Sequence, residues 1–387
     1  MFRLLPLLLC AASAASAQDL PSAEPRYGEL KQSIQALLDG IVAKGITSAS
    51  AGIVLPDGEV LAVVAGTADP ETRRELLPTD MFLVGSTGKT YVTGIVHLLE
   101  AEGWLDFDST AASYFAEDED DSWLDDLPNG REVTLRQLLR HQTGIPRYVF
   151  GEEFTSTLTS QPDRVWTPKE LLAFANRDAL FAPGEKWAYS DTNYILLGMV
   201  VEKATGQTFY DLVRTRLLDP HGLRETVPTN RRRIERMAQG HVVMGRSMGV
   251  GEWALQEGQF SYNVQFEWCG GGWATTPSDL ARWVGLLYGG RAFDEEYLGT
   301  LLDTVPAGGL GRGVGYGMGV MVRETKAGEL RYHDGFMPGY TTSAGLFPAS
   351  NIAVAIQLGS DNGRAVGKPL SMLLAELAVL ANAAFDK

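Results

Sequence analysis

Between Met81 and Trp104 the chain reads MFLVGSTGKTYVTGIVHLLEAEGW. Met81 to Val84 is a strand-like apolar run that ends in Gly85-Ser86-Thr87-Gly88-Lys89. From Thr90 onward, Val92, Ile95, Val96 and Leu99 follow the spacing of a helix buried on one side. Ser86 and Lys89 stand three apart at the helix start, so both project onto one face. A helix N-terminus offers unpaired N–H groups and positive potential, which stabilise an oxyanion and disfavour a protonated lysine. A lysine held near neutral can take a serine proton, which makes the pair a compact nucleophile with its base.

Two other readings compete for these motifs. A phosphate-binding loop would need glycine five positions before Gly88, where Leu83 stands. Gly245-Arg246-Ser247-Met248-Gly249 matches the Gly-x-Ser-x-Gly elbow, but Gly251-Glu252-Trp253 follows where an apolar helix should. Both are set aside.

Outward from the serine, Ser50 to Ala65 holds two apolar runs around Pro56-Asp57-Gly58, the pattern of a β-hairpin. The middle is helical. Thr134 and Thr167-Pro168 open short helices, Thr192–Ala204 and Phe209–Leu218 are periodic, and Thr276-Pro277 starts a helix through Leu287. Short turn-bounded strands return at Gly315–Val322, Leu330–His333, Thr341–Phe347 and Ile352–Leu358, before a helix from about Pro369 to Ala383. The expected fold is α+β: an antiparallel sheet built from both chain ends, about 25–85 and 310–387, with flanking helices and an inserted helical lobe at about 105–300.

Composition narrows the function. The 387 residues are 45% hydrophobic and 21% charged, a globular balance that excludes a disordered or fibrous chain. With 33 basic and 48 acidic residues the net charge is −15, so nucleic acid and anionic membranes are unfavourable partners. Arg3, the apolar run Leu4–Ala12 and Ala15-Ser16-Ala17 read as a signal peptide over 1–17, leaving 18–387 as the mature domain. Cys10 offers lipidation as the lesser option. Mature protein then keeps only Cys269, has no stable membrane span, and suits a periplasm. The five histidines lack zinc-ligand spacing, and Glu117-Asp-Glu-Asp-Asp121 fails the calcium-loop pattern, so no metal and no cofactor are expected.

Two further stretches bear chemistry. In Tyr189-Ser190-Asp191, Asp191 or Thr192 could cap the following helix, while Tyr189 beside Lys89 would lean towards its ionised form and relay protons. His333-Asp334-Gly335-Phe336 puts a histidine beside a glycine that admits close backbone approach.

Taken in order, Ser86-Thr87-Gly88-Lys89, Tyr189-Ser190-Asp191 and His333-Asp334-Gly335 resemble the three motifs of the serine β-lactamase and DD-peptidase superfamily. The likeness is to the branch of class C β-lactamases, D-alanyl-D-alanine carboxypeptidases, D-aminopeptidases and related esterases. Leu138–Pro146 and Gly270–Thr275 fit as well. The resemblance implies that Ser86 is acylated, that Lys89 and Tyr189 share base and acid work, and that the Ser86 and Phe336 N–H groups form an oxyanion hole. His333, Gly335 and Asp191 would contact the substrate, a peptidoglycan-type peptide, β-lactam or ester. Two residues depart from the pattern. Asp191 replaces asparagine and, if ionised, cannot donate to a substrate carbonyl; it would repel a carboxylate or welcome an amine, or else simply cap the helix and pair with Lys89. His333 replaces lysine and weakens fixed-charge recognition of a carboxylate. The expected activity is carboxypeptidase-like or D-amino-acid peptidase hydrolysis, with an esterase, a β-lactamase or an inactive binding protein as alternatives.

Overall fold

The computed structural model describes residues 27–385. The signal-peptide reading of 1–17 falls outside the described residues. Nine strands make one antiparallel sheet: β1 (Ser48–Val54), β2 (Val60–Asp69), β3 (Arg74–Glu75), β4 (Val305–Pro306), β5 (Gly315–Tyr316), β6 (Met321–Thr325), β7 (Gly328–Met337), β8 (Tyr340–Phe347) and β9 (Ile352–Leu358). Their spatial order is β3-β2-β1-β9-β8-β7-β6-β5-β4. The two ends of the chain therefore meet at the β1–β9 pair, with Ala49 opposite Leu358 and Val54 opposite Ala353.

Alternation along β9 explains how the sheet is covered. Ile352, Val354, Ile356 and Leu358 face one core, while Ala353 and Ala355 face the other. The large residues meet two terminal helices, α1 (Gly28–Val42) and a last helix, Leu370–Phe385, whose Leu370, Leu373, Leu374, Leu377, Ala378 and Ala381 form one buried stripe. Each buried leucine in that stripe contributes about 2 kcal/mol. Small residues on the opposite face let a further helix, Pro277–Tyr288, lie close: a Cβ at Gly52 would sit 2.0 Å from the Pro277 carbonyl oxygen.

In sequence, the helical elements come between the two groups of strands, centred on α2 (Lys89–Ala101) and α3 (Thr192–Thr205), each buried around most of its circumference. Capping boxes at Thr134 and Thr167 start two of the short helices as their sequences predict.

Three local expectations need correction. The stretch from about residue 25, assigned to sheet, opens with α1, and the first sheet residue is Ser48. Phe82–Leu83 joins not the large sheet but a separate one with Trp273–Thr275 and Thr226–Pro228. Gly315–Val322 is two strands rather than one, because the chain turns through Gly319 at φ +70°. No described helix is long and apolar enough to cross a membrane.

Candidate active site

Phe82–Leu83 delivers the chain into a tight turn, Gly85–Gly88, from which α2 departs. From Met81 to His97 every residue is buried except Ser86. Glycines make that presentation possible. Gly85 holds φ +51°, and a Cβ there would stand 2.5 Å from the Phe336 carbonyl oxygen. At Gly335 the added carbon would lie 1.9 Å from the Val84 oxygen, and at Gly271 it would lie 2.4 Å from that of Gly85. The serine turn is thus clamped between β7 and the Gly270–Gly272 segment.

Lys89 is fully buried below Ser86. Its Nζ donates to Ser86 Oγ at 3.2 Å, to Asp191 Oδ1 at 2.7 Å and to the Gly270 carbonyl at 2.5 Å. Three acceptors for three ammonium hydrogens describe a protonated lysine. Burial works to lower its pKa, but Asp191 first, then Tyr189 and Glu267, overcome it and lift it above the ordinary lysine value. The near-neutral lysine expected from the sequence is therefore corrected: a buried carboxylate outweighs the helix N-terminus.

Asp191 lies immediately before α3 but makes no side-chain capping bond. Its Oδ1 faces Lys89, and its Oδ2 accepts from Arg147 Nε at 2.8 Å and Nη2 at 2.7 Å. Burial opposes ionisation, yet Arg147 and Lys89 together hold the carboxyl well below its usual range. Of the readings open for Asp191, pairing with Lys89 is what the geometry supports; capping is not. Arg147 escaped the sequence reading altogether. The available signal was an aspartate in a buried asparagine position, which demands a counter-charge.

The Tyr189 hydroxyl is buried with no hydrogen-bond partner of ordinary length among the described residues. Lys89 Nζ stands 5.2 Å from its ring centre. Burial raises the phenol above its normal value despite the opposing pull of Lys89 and Ser86. The expected lean towards phenolate is thus reversed, since desolvation outweighs the nearby ammonium.

His333 is fully buried, and its ring nitrogens are used internally. Nδ1 lies 2.6 Å from the Asp334 carbonyl, an acceptor, so it carries the hydrogen. Nε2 then accepts from the Tyr316 hydroxyl at 3.0 Å. The same hydroxyl receives His141 Nε2–H at 3.1 Å, while His141 Nδ1 accepts from Ser190 N–H and Asn193 Nδ2. The chain of donors fixes both tautomers and keeps both rings neutral. Burial, with Lys89 adding repulsion, depresses His333 to about 3. His333 thus lines the cleft as a neutral ring, in keeping with the weak fixed-charge recognition expected of histidine at this position. Tyr316 was not singled out by sequence.

Phe336 turns its side chain outward, and its backbone lies against Gly85, the residue before Ser86. Ser86, Arg147, Trp187, Tyr189 and Phe336 line one cleft of about 890 Å³. The remaining motifs are structural. Ser247 bonds the Met244 carbonyl in a short turn, and Asp121 and Asp125 pair with Arg131. Trp268 and Trp273 belong to the core. Among the described residues no cluster of His, Cys, Asp and Glu could hold a metal.

A serine turn held against β7 over a buried lysine, with a tyrosine in the same cleft, defines the serine hydrolases related to β-lactamases. The Beta-lactamase family model matches residues 31–377, and the chain belongs to that family. It is 29% identical over 287 residues to penicillin-binding protein 4* of Bacillus subtilis, covering 72% of this chain and 60% of that protein. It is 24% identical to a D-aminopeptidase of Brucella anthropi, covering 74% of this chain and 51% of that one. The chain thus spans about half to three fifths of the length of these curated relatives. Among solved structures, a D-stereospecific amidohydrolase from Streptomyces sp. superposes with TM-score 0.74 at 27% identity, over 87% of this chain and 97% of that chain. A D-amino acid amidase from Ochrobactrum anthropi SV3 shares the fold, with TM-score 0.75 at 24% identity over 92% and 99%.

Proposed function

We propose that the protein is an exported hydrolase of amide bonds next to D-amino acids, of carboxypeptidase or D-amino-acid peptidase type, working through an acyl-enzyme on Ser86. One observation carries the reading: Ser86 is the sole accessible residue of an otherwise buried run, with Lys89 hydrogen-bonded to its oxygen and the unpartnered Tyr189 hydroxyl in the same cleft. Ser86 Oγ attacks the carbonyl carbon, and the backbone N–H groups of Ser86 and Phe336 receive the oxyanion. Lys89 and Tyr189 are both protonated at rest. The serine proton therefore leaves only after one of them has given up its own, and it returns to the leaving nitrogen as the C–N bond breaks. Water then hydrolyses the ester. Names of the relatives support the D-amino-acid substrate class, and the leader-like residues 1–17 support export.

Intact-mass measurement after incubation with a penicillin tests the reading. A persistent adduct on the wild type and none on Ser86→Ala is expected. If neither forms an adduct, and neither cleaves D-Ala-D-Ala peptides, the proposal fails.

A further inference from the structure

We propose that Arg147 reads the acyl-side amide carbonyl of the substrate, and that its guanidinium turns away substrates carrying a free α-ammonium. This rests on the serine-hydrolase reading and deepens it, selecting its carboxypeptidase form over an aminopeptidase one. An asparagine at 191 would offer an N–H to such a carbonyl; ionised Asp191 has none, and both its oxygens are occupied by Lys89 and Arg147.

Arg147 has what Asp191 lacks. Of its five N–H donors, Nε–H and one on Nη2 go to Asp191, and no other side-chain bond takes the rest among the described residues. The side chain is 34% exposed, whereas Asp191 is 4% exposed. It lines the same cleft as Ser86 and Tyr189. Its orientation is held from several sides: Asp191 grips one edge, and the guanidinium carbon lies 4.2 Å from the Phe150 ring centre and 5.2 Å from that of Tyr189. A planar fork fixed along one edge presents its remaining donors in a defined direction.

The local charge points the same way. Lys89 and Arg147 are cations, and Asp191 is an anion shared between them. Glu267, the other buried carboxyl close by, is held towards its neutral form by burial and by Asp191. A substrate ammonium entering beside Arg147 meets excess positive charge, whereas an acylated nitrogen brings a carbonyl oxygen that the guanidinium can bind.

Three p-nitrophenyl esters with one leaving group separate the outcomes: N-acetyl-D-phenylalanine, D-phenylalanine with its free amine, and 3-phenylpropanoate, which lacks the amide. Wild type is expected to favour the acetylated ester over 3-phenylpropanoate by roughly 10- to 100-fold in kcat/KM, the range for a hydrogen bond to a charged group. It should favour it over the free amine as well. In Arg147→Gln both gaps should close, read as kcat/KM ratios among the three esters within that one variant. Arg147→Lys keeps a cation beside Asp191 without the fork; it should close the gap to 3-phenylpropanoate, and carries that comparison if Arg147→Gln fails to fold. Equal loss on all three esters in a folded variant would make Arg147 only a partner for Asp191 and overturn the proposal. If no ester gives Ser86-dependent release even in the wild type, the hydrolase reading itself has failed.

Discussion

Lys89 Nζ and Asp191 Oδ1 lie 2.7 Å apart with both side chains withdrawn from solvent. Arg147 closes the second oxygen of the same carboxylate. The single carboxylate of Asp191 therefore sets the charge state of the lysine beneath Ser86 and holds a second cation in the cleft. Burial of an ion pair costs desolvation, which is recovered here only because every oxygen of Asp191 and every hydrogen of Lys89 has a partner.

Asp191→Asn should lower the Lys89 pKa, because Asp191 is the largest influence raising it and the orphaned Arg147 repels the ammonium. The rise of kcat/KM with pH is expected to move to lower pH by a unit or more, each unit being about 1.36 kcal/mol. A pH–rate profile of the variant checks this. An unmoved limb would mean that Asp191 does not hold the Lys89 proton.

In the wild type, Lys89 and Tyr189 are both lifted above their ordinary values. A base that must first deprotonate works better as pH rises, so kcat/KM should climb from neutrality into the alkaline range. Tyr189→Phe should lower the rate by roughly 10²- to 10⁴-fold, the usual contribution of a proton-transfer group. Steady-state kinetics from pH 6 to 10 decide it; a wild-type profile flat above pH 7 contradicts the assignment.

Tyr316→Phe should cost stability more than chemistry. The hydroxyl accepts from His141 and donates to His333 in a fully buried site. Its loss leaves two ring nitrogens without partners, at about 1–3 kcal/mol. Urea unfolding should show that loss, with a fall in kcat much smaller than that of Tyr189→Phe.

Gly335→Ala should disrupt the cleft, since the new methyl would lie 1.9 Å from the Val84 oxygen and backbone on both sides must move. Destabilisation of about 3 kcal/mol, the upper part of the overpacking range, and loss of acylation are expected. Gly299→Ala, in a short helix with no atom within 4 Å of the new carbon, is the control. It should stabilise by about 0.5–1 kcal/mol. Thermal melts of both variants make the comparison.

Periodicity alone carried much of the architecture. The β1–β2 hairpin, the run into α3 and the late strands β8 and β9 follow local patterns of burial and turn residues, which are properties of neighbouring positions. The separation of Phe82–Leu83 from the large sheet was not legible, because a two-residue strand looks the same whichever neighbour completes its hydrogen bonds. Nor was α1, whose Leu30, Ile34, Leu38 and Ile41 follow helical spacing that went unread among polar residues.

By itself the sequence determined the order of the three motifs, and so the serine, lysine and tyrosine proposed to carry the chemistry. Motif residues sit next to one another along the chain, and their spacing survives any folding. Protonation and role were decided only by the tertiary structure. Lys89 is charged because Asp191, 102 positions away, is brought to 2.7 Å; His333 is neutral because Tyr316 and Asp334 consume its nitrogens; Arg147 enters the cleft because Asp191 draws it there. Charge states depend on desolvation and on opposite charges within a few ångströms, and those distances exist only once the chain has folded.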